Sequence, residues 1–92
     1  MTGIHGQNRA MIEELKDRGF IAQLDRAEKK HGFSTGMRTK ADGSGLVMVS
    51  ATFYPKVRFH IQDVVQVSPT YVYGPHRDLT QEEWNATMDF LL

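Results

Sequence analysis

Ninety-two residues set the scale of one domain with a limited core, and 40% hydrophobic against 24% charged content excludes a wholly disordered chain. The absence of cysteine excludes disulfides, thiolate zinc sites and cysteine nucleophiles together, and no apolar run approaches the ~20 residues that span a bilayer. The formal net charge is zero, yet it is unevenly laid out: six basic residues against Asp42 alone in 29–60, Arg77 against five acids in 61–92, and four against five in 1–28.

Taken in order, MTGIHGQNR lacks the basic segment and apolar block of a secretory signal, so a protein of the cytoplasm with no membrane contact is expected. Asn8 is placed to cap a helix through Ala10, Met11, Ile12 and Leu15, with Glu13 and Glu14 near its positive end and Gly19 as the stop. Phe20, Ile21, Leu24 and Ala27 then repeat at i, i+1, i+4 and i+7, predicting a second helix that closes on Lys29, Lys30 and His31 before Gly32.

From Phe33 the period changes. FSTGMRTK, ADGSG and LVMVSATFY read as strand, turn, strand, with Val47, Val49, Ala51 and Phe53 on one face and Met48, Ser50, Thr52 and Tyr54 on the other. Tyr54-Pro55-Lys56 is a tight connection into KVRFHIQ (56–62), where apolar Val57, Phe59 and Ile61 alternate with Lys56, Arg58 and His60. DVVQV (63–67) and TYVYG (70–74), broken by Ser68-Pro69, fit either one bent strand or a hairpin.

In the final segment, Thr80 and Glu83 form a capping box, Leu79 and Trp84 take the positions of a hydrophobic staple, and Trp84, Met88 and Leu91 make the inner stripe of a helix. The expected fold is a single α+β domain over 1–92. It has two N-terminal helices, a three- to four-stranded mainly antiparallel sheet, and a C-terminal helix packed on one sheet face.

The candidate site follows from the alternation. With Val57, Phe59 and Ile61 turned to the helices, Lys56, Arg58 and His60 face away, and Arg38 and Lys40 share a face of the neighbouring strand. If the two faces coincide, the basic residues sit on one open surface with Tyr54, Tyr71 and Tyr73 as anchors, a combination suited to RNA, DNA or an acidic protein surface. A solvated polar face is the plainer reading of the same pattern.

Catalytic and metal patterns are missing. No two of His5, His31, His60 and His76 stand at i, i+3 or i+4, so no metal site or cofactor is expected. His60 with Asp63, and the run His76-Arg77-Asp78, lack a nucleophile or oxyanion donor in any recognisable motif. ADGSG lacks the Lys-Ser/Thr of a phosphate loop and the terminal Glu of an EF-hand. YVYGPHRDL (71–79) runs from aromatic to turn-forming to charged, as an interface anchor or a strand end would.

The element order is similar to that of double-stranded-RNA-binding domains, but the lysine cluster such domains carry at the start of the last helix is replaced by TQEEW (80–84). By type, a short cysteine-free chain, expected to be a complete reading frame from Met1 and free of catalytic motifs, resembles the small phage-encoded inhibitors of the anti-CRISPR kind. That resemblance implies a non-enzymatic, stoichiometric inhibitor in the host bacterial cytoplasm. It would dock on a CRISPR ribonucleoprotein and occlude a nucleic-acid site or its rim through the basic and tyrosine residues named above. The alternative is a small nucleic-acid-binding regulatory module using the same face, and a small enzyme subunit working through His60 or His76 ranks third.

Overall fold

A single helix precedes the sheet. The computed structural model describes residues 4–25, 33–53 and 56–90. Its elements run α1 (Ile4–Asp17), β1 (Ile21–Asp25), β2 (Phe33–Thr39), β3 (Leu46–Thr52), β4 (Arg58–Val67), β5 (Thr70–Tyr73), β6 (Arg77–Leu79) and α2 (Gln81–Phe90). One N-terminal helix and a six-stranded antiparallel sheet thus replace the two helices and three to four strands expected from the sequence.

The correction begins at Gly19. Its φ of 87° is the left-handed turn that ends α1; the Phe20 N–H donates to the Leu15 carbonyl (2.9 Å) and the Gly19 N–H to that of Lys16 (3.0 Å). This is the Schellman pattern, with Phe20 and Leu15 both buried as its apolar contact. The chain leaves the cap extended, and Ala22 and Leu24 alternate inward while Ile21 and Gln23 turn out. Over five residues, apolar positions at i, i+1 and i+4 fit a strand as well as a helix, and pairing with β2 decides the matter. Ala27 and the expected helix end at Lys29, Lys30 and His31 lie outside the described residues.

Asn8 is not a cap either. It is interior to α1 and buried, and its Oδ1 and backbone carbonyl accept from the Ser34 hydroxyl at 2.8 and 3.1 Å. ADGSG is the β2–β3 turn, where Asp42 Oδ1 accepts from the Ser44 N–H (2.9 Å) and Gly43 takes a φ of 76°. That hydrogen bond holds the Asp42 carboxyl below its usual pKa. KVRFHIQ and DVVQV are not separate pieces: most of both lies in the ten-residue β4, with Lys56 and exposed Val57 just before it. A turn at Ser68-Pro69, whose peptide bond is cis, then returns the chain as β5.

The strand order is β1-β2-β3-β4-β5, and β6 pairs with the other half of the same β4 edge. β6, at the charged end of YVYGPHRDL, is thus a displaced continuation of β5. The Thr80–Glu83 capping box is present, with Thr80 N–H to Glu83 Oε1 at 2.8 Å and Glu83 N–H to Thr80 Oγ1 at 3.1 Å. α2 buries Trp84 and Met88, while Leu91 lies outside the described residues.

Both helices cover one face. Leu15, Phe20, Trp84 and Met88 pack on Val47, Val49, Ala51, Phe59 and Leu79, and the Trp84 ring stacks on Phe59 at 4.7 Å between centroids. Removing that ring by Trp84→Ala costs about 3–5 kcal/mol in urea unfolding. Gly36 lies directly beneath α1: a Cβ there would stand 3.1 Å from Phe20 Cβ and 3.3 Å from Leu15 Cδ1. Because the cap holds Phe20 and Leu15 is wholly buried, neither yields. Gly36→Ala is therefore expected to destabilise by about 1–3 kcal/mol in the same assay, despite the better strand propensity of alanine.

Candidate binding face of the sheet

Register decides which side chains share the face that the helices leave open, because directly opposed residues of antiparallel strands project to the same side. Three rows cross it. One runs Ile21, Met37, Met48, Gln62; the next Gln23, Thr35, Ser50, His60, Asp78; the third Thr39, Leu46, Val64, Tyr73. Phe33 stands at one end of this face, and Gln66 opposite Tyr71 at the other.

Most of these residues, though not Val64, His60 or Asp78, line a groove of about 1000 Å³. Thr35, Ser50 and Gln62 are buried in its floor, where the Thr35 hydroxyl donates to the Val49 carbonyl (3.2 Å) and Gln62 Nε2 to that of Gly74 (3.4 Å). Above them stand Phe33, Met37, Leu46 and Met48, half-buried, with Ile21, Tyr71 and Tyr73 exposed. The two tyrosine rings lie 6.5 Å apart. The apolar wall with a few fixed polar groups is the make-up of a binding site, and the groove has the size of one.

The strand β2 is turned inside out relative to its hydrophobicity. Ser34, Gly36 and Arg38 face the helices, while Phe33 and Met37 face the groove. Arg38 borders the groove, but its side chain runs to the helix side. Its Nη1 donates to the Arg18 carbonyl at the end of α1 (2.6 Å), and its guanidinium lies 5.7 Å from the centre of the Phe20 ring.

The other expected basic residues are also dispersed. Lys40 closes on Asp63 at 2.8 Å, and that hydrogen bond raises its pKa above 10.5. Arg58 and His60 do share the open face, but both turn to Asp78 of β6: Arg58 Nη2 stands 3.6 Å from its carboxylate and His60 Nδ1 2.8 Å, close yet out of line for a hydrogen bond. Lys56 is exposed before β4, and Tyr54 lies outside the described residues. Tyr71 and Tyr73 line the groove.

Gln23, Phe33, Thr35, Met37, Gln62 and Gln66 line it without having been candidates from the sequence, and His76, weighed there only as a general base, lines it too. Alternation within FSTGM carries the signal for Phe33, Thr35 and Met37; what it lacks is the side on which the helices lie. The His76 ring meets His60 edge-on at 5.8 Å. No group of three His, Cys, Asp or Glu among the described residues is arranged to hold a metal ion, and none of their helices is long and apolar enough to cross a membrane. No family model matches the chain, and no curated protein or solved structure shows significant similarity to it.

The Lys40–Asp63 pair has a defined pH signature. A lysine whose folded pKa is raised contributes stability in full below 10.5, and loses it as pH rises through the folded value. The melting-temperature advantage of the wild type over Lys40→Met should therefore be flat from neutral pH to about 10 and shrink above it, as followed by circular dichroism. An advantage that grows with alkaline pH would contradict the pairing.

Proposed function

We propose that this chain is a small non-enzymatic binding protein that acts stoichiometrically, by occupying part of a partner, and that the open sheet face is where the partner seats. The observation that carries this reading is the character of the groove: Phe33, Met37, Leu46, Met48, Tyr71 and Tyr73 stand over a hydrogen-bonded floor of Thr35, Ser50 and Gln62, while the charged residues Arg38, Arg58 and Asp78 lie toward its margins. Such a surface suits an apolar protein segment, and its methionines can adapt to an irregular one.

On the resemblance to anti-CRISPR inhibitors, the partner class is a CRISPR effector complex in the bacterial cytoplasm, and the mode of action is occlusion. An exposed segment of an effector protein fits the groove better than its RNA does. Lys40, Arg58 and His60 each have a carboxylate beside them, which weakens their pull on phosphates. The nucleic-acid reading retains one favourable feature, the Tyr71–Tyr73 pair on which bases could stack.

A tagged pull-down from bacterial lysate, with and without nuclease, tests this against two variants. The wild type should retain a defined protein complex after nuclease. Met37→Lys combined with Met48→Lys should lose it while keeping a cooperative thermal transition, and Lys56→Glu with Arg58→Glu should keep it. Capture that vanishes with nuclease, or that depends on Lys56 and Arg58 and not on the methionines, would turn the assignment to the nucleic-acid module.

A further inference from the structure

The β4–β5 hairpin reaches past the rest of the sheet. Beyond the Leu46–Val64 pair, β4 has no β3 neighbour, and the helices do not bury its far end: Val65, Val67 and Val72 on the helix side are each more than half exposed. On the groove side stand Tyr71 and Tyr73, also exposed. From Val64 to His76 there is no Asp, Glu, Lys or Arg. Charge along the strand is one of the devices by which natural sheets guard a free edge, beside short strands and proline. This one carries no charge.

We infer that β5 is a self-association edge, and that two copies of this chain pair there through a two-fold axis at Val72. The backbone sets the register. The Gly74 N–H donates to the Asp63 carbonyl at 2.8 Å, so Gly74 turns its groups toward β4. By the alternation of an antiparallel ladder, Tyr73 and Tyr71 turn their N–H and C=O groups to the free edge, and Val72 turns its own inward. Opposed residues share a face, so a symmetric pairing must centre on a residue rather than between two. Centred on Val72, it sets Tyr71 against the second copy's Tyr73, and both such pairs exchange backbone hydrogen bonds. Centred on Tyr71, it would set Tyr73 against Pro69, which has no N–H to give.

In the Val72 register the tyrosines of both copies meet on the groove side and the valines on the other. No charge on this edge opposes its own image. Pro69 and Pro75 bracket the strand, confining the pairing to the intervening residues. Because both copies use the same edge, the contact closes as a dimer and does not propagate.

The test uses the full chain. Size-exclusion chromatography with light scattering should give twice the 10.5 kDa of the monomer at micromolar concentration and above. Val72→Lys, which sets like charges directly opposite each other, should weaken the dimer about tenfold or more, and mixing it with Val72→Glu should restore it. Because the chain has no cysteine, Val72→Cys supplies an independent measurement. A non-hydrogen-bonded pair sets Cα atoms about 4.5 Å apart, within disulfide range, so oxidation should yield a covalent dimer where Gln23→Cys yields none. Monomer at every concentration overturns the inference. So does a dimer that Val72→Lys leaves intact, or a folded Val72→Cys that fails to cross-link.

Discussion

The close seating of α1 on β2 governs most of the molecule. A helix can approach a strand this nearly only where the strand offers small side chains, and β2 offers Ser34 and Gly36. The Ser34 hydroxyl donates to the Oδ1 and backbone carbonyl of Asn8, a buried residue of α1 whose Nδ2 has no partner among the described residues, and Gly36 receives Leu15 and Phe20. Burying Asn8 without that hydroxyl would leave an amide acceptor unpaired, so the hydrogen bond also fixes how far α1 can slide along the strand. Arg38 completes the arrangement from the same side, bonding the last carbonyl of the helical turn that Gly19 closes.

That seating has a consequence on the opposite face. A strand has only two sides, and once the small and polar members of β2 are assigned to the helices, Phe33 and Met37 must face away from them. β3 has the reverse allocation on its inner side, where Val47, Val49 and Ala51 supply the core. The groove is therefore built from apolar residues displaced by the needs of helix packing, joined by Met48 and Leu46 from β3 and the tyrosines of β5. Its floor stays ordered because Thr35 and Gln62 bond to backbone carbonyls, leaving few dangling groups to solvate.

This allocation also explains what was legible in the sequence. Signals that act over three or four residues were readable: the Thr80–Glu83 capping box, the Asp42–Ser44 turn, the left-handed stop at Gly19 and the two faces of β3. Signals that depend on a distant partner were not. Ile21 to Asp25 becomes a strand only because β2 pairs with it, and β6 forms only because β4 is long enough to serve two strands on one edge. The candidate site suffers most from this. Asp63 lies far along the chain from Lys40, as Asp78 does from Arg58, and alternation alone cannot say that these carboxylates neutralise the supposed basic face. Tyr71 and Tyr73 stand out in the sequence because the run TYVYG places two aromatics on one face of any strand.

Groove and hairpin are linked through those two tyrosines. They close one end of the groove by their rings and border the free edge by their backbones, so anything that pairs with β5 also shapes the adjoining end of the binding face. A two-fold axis perpendicular to the sheet keeps both open faces on the same side. Two grooves would then adjoin across a shared aromatic seam, each able to take one segment of a partner. On the proposed reading, in which the groove would hold a partner by apolar burial and not by long-range charge, duplication is a physically direct route to tighter binding. The second site is then engaged at the effective concentration set by the first, with no new kind of contact required.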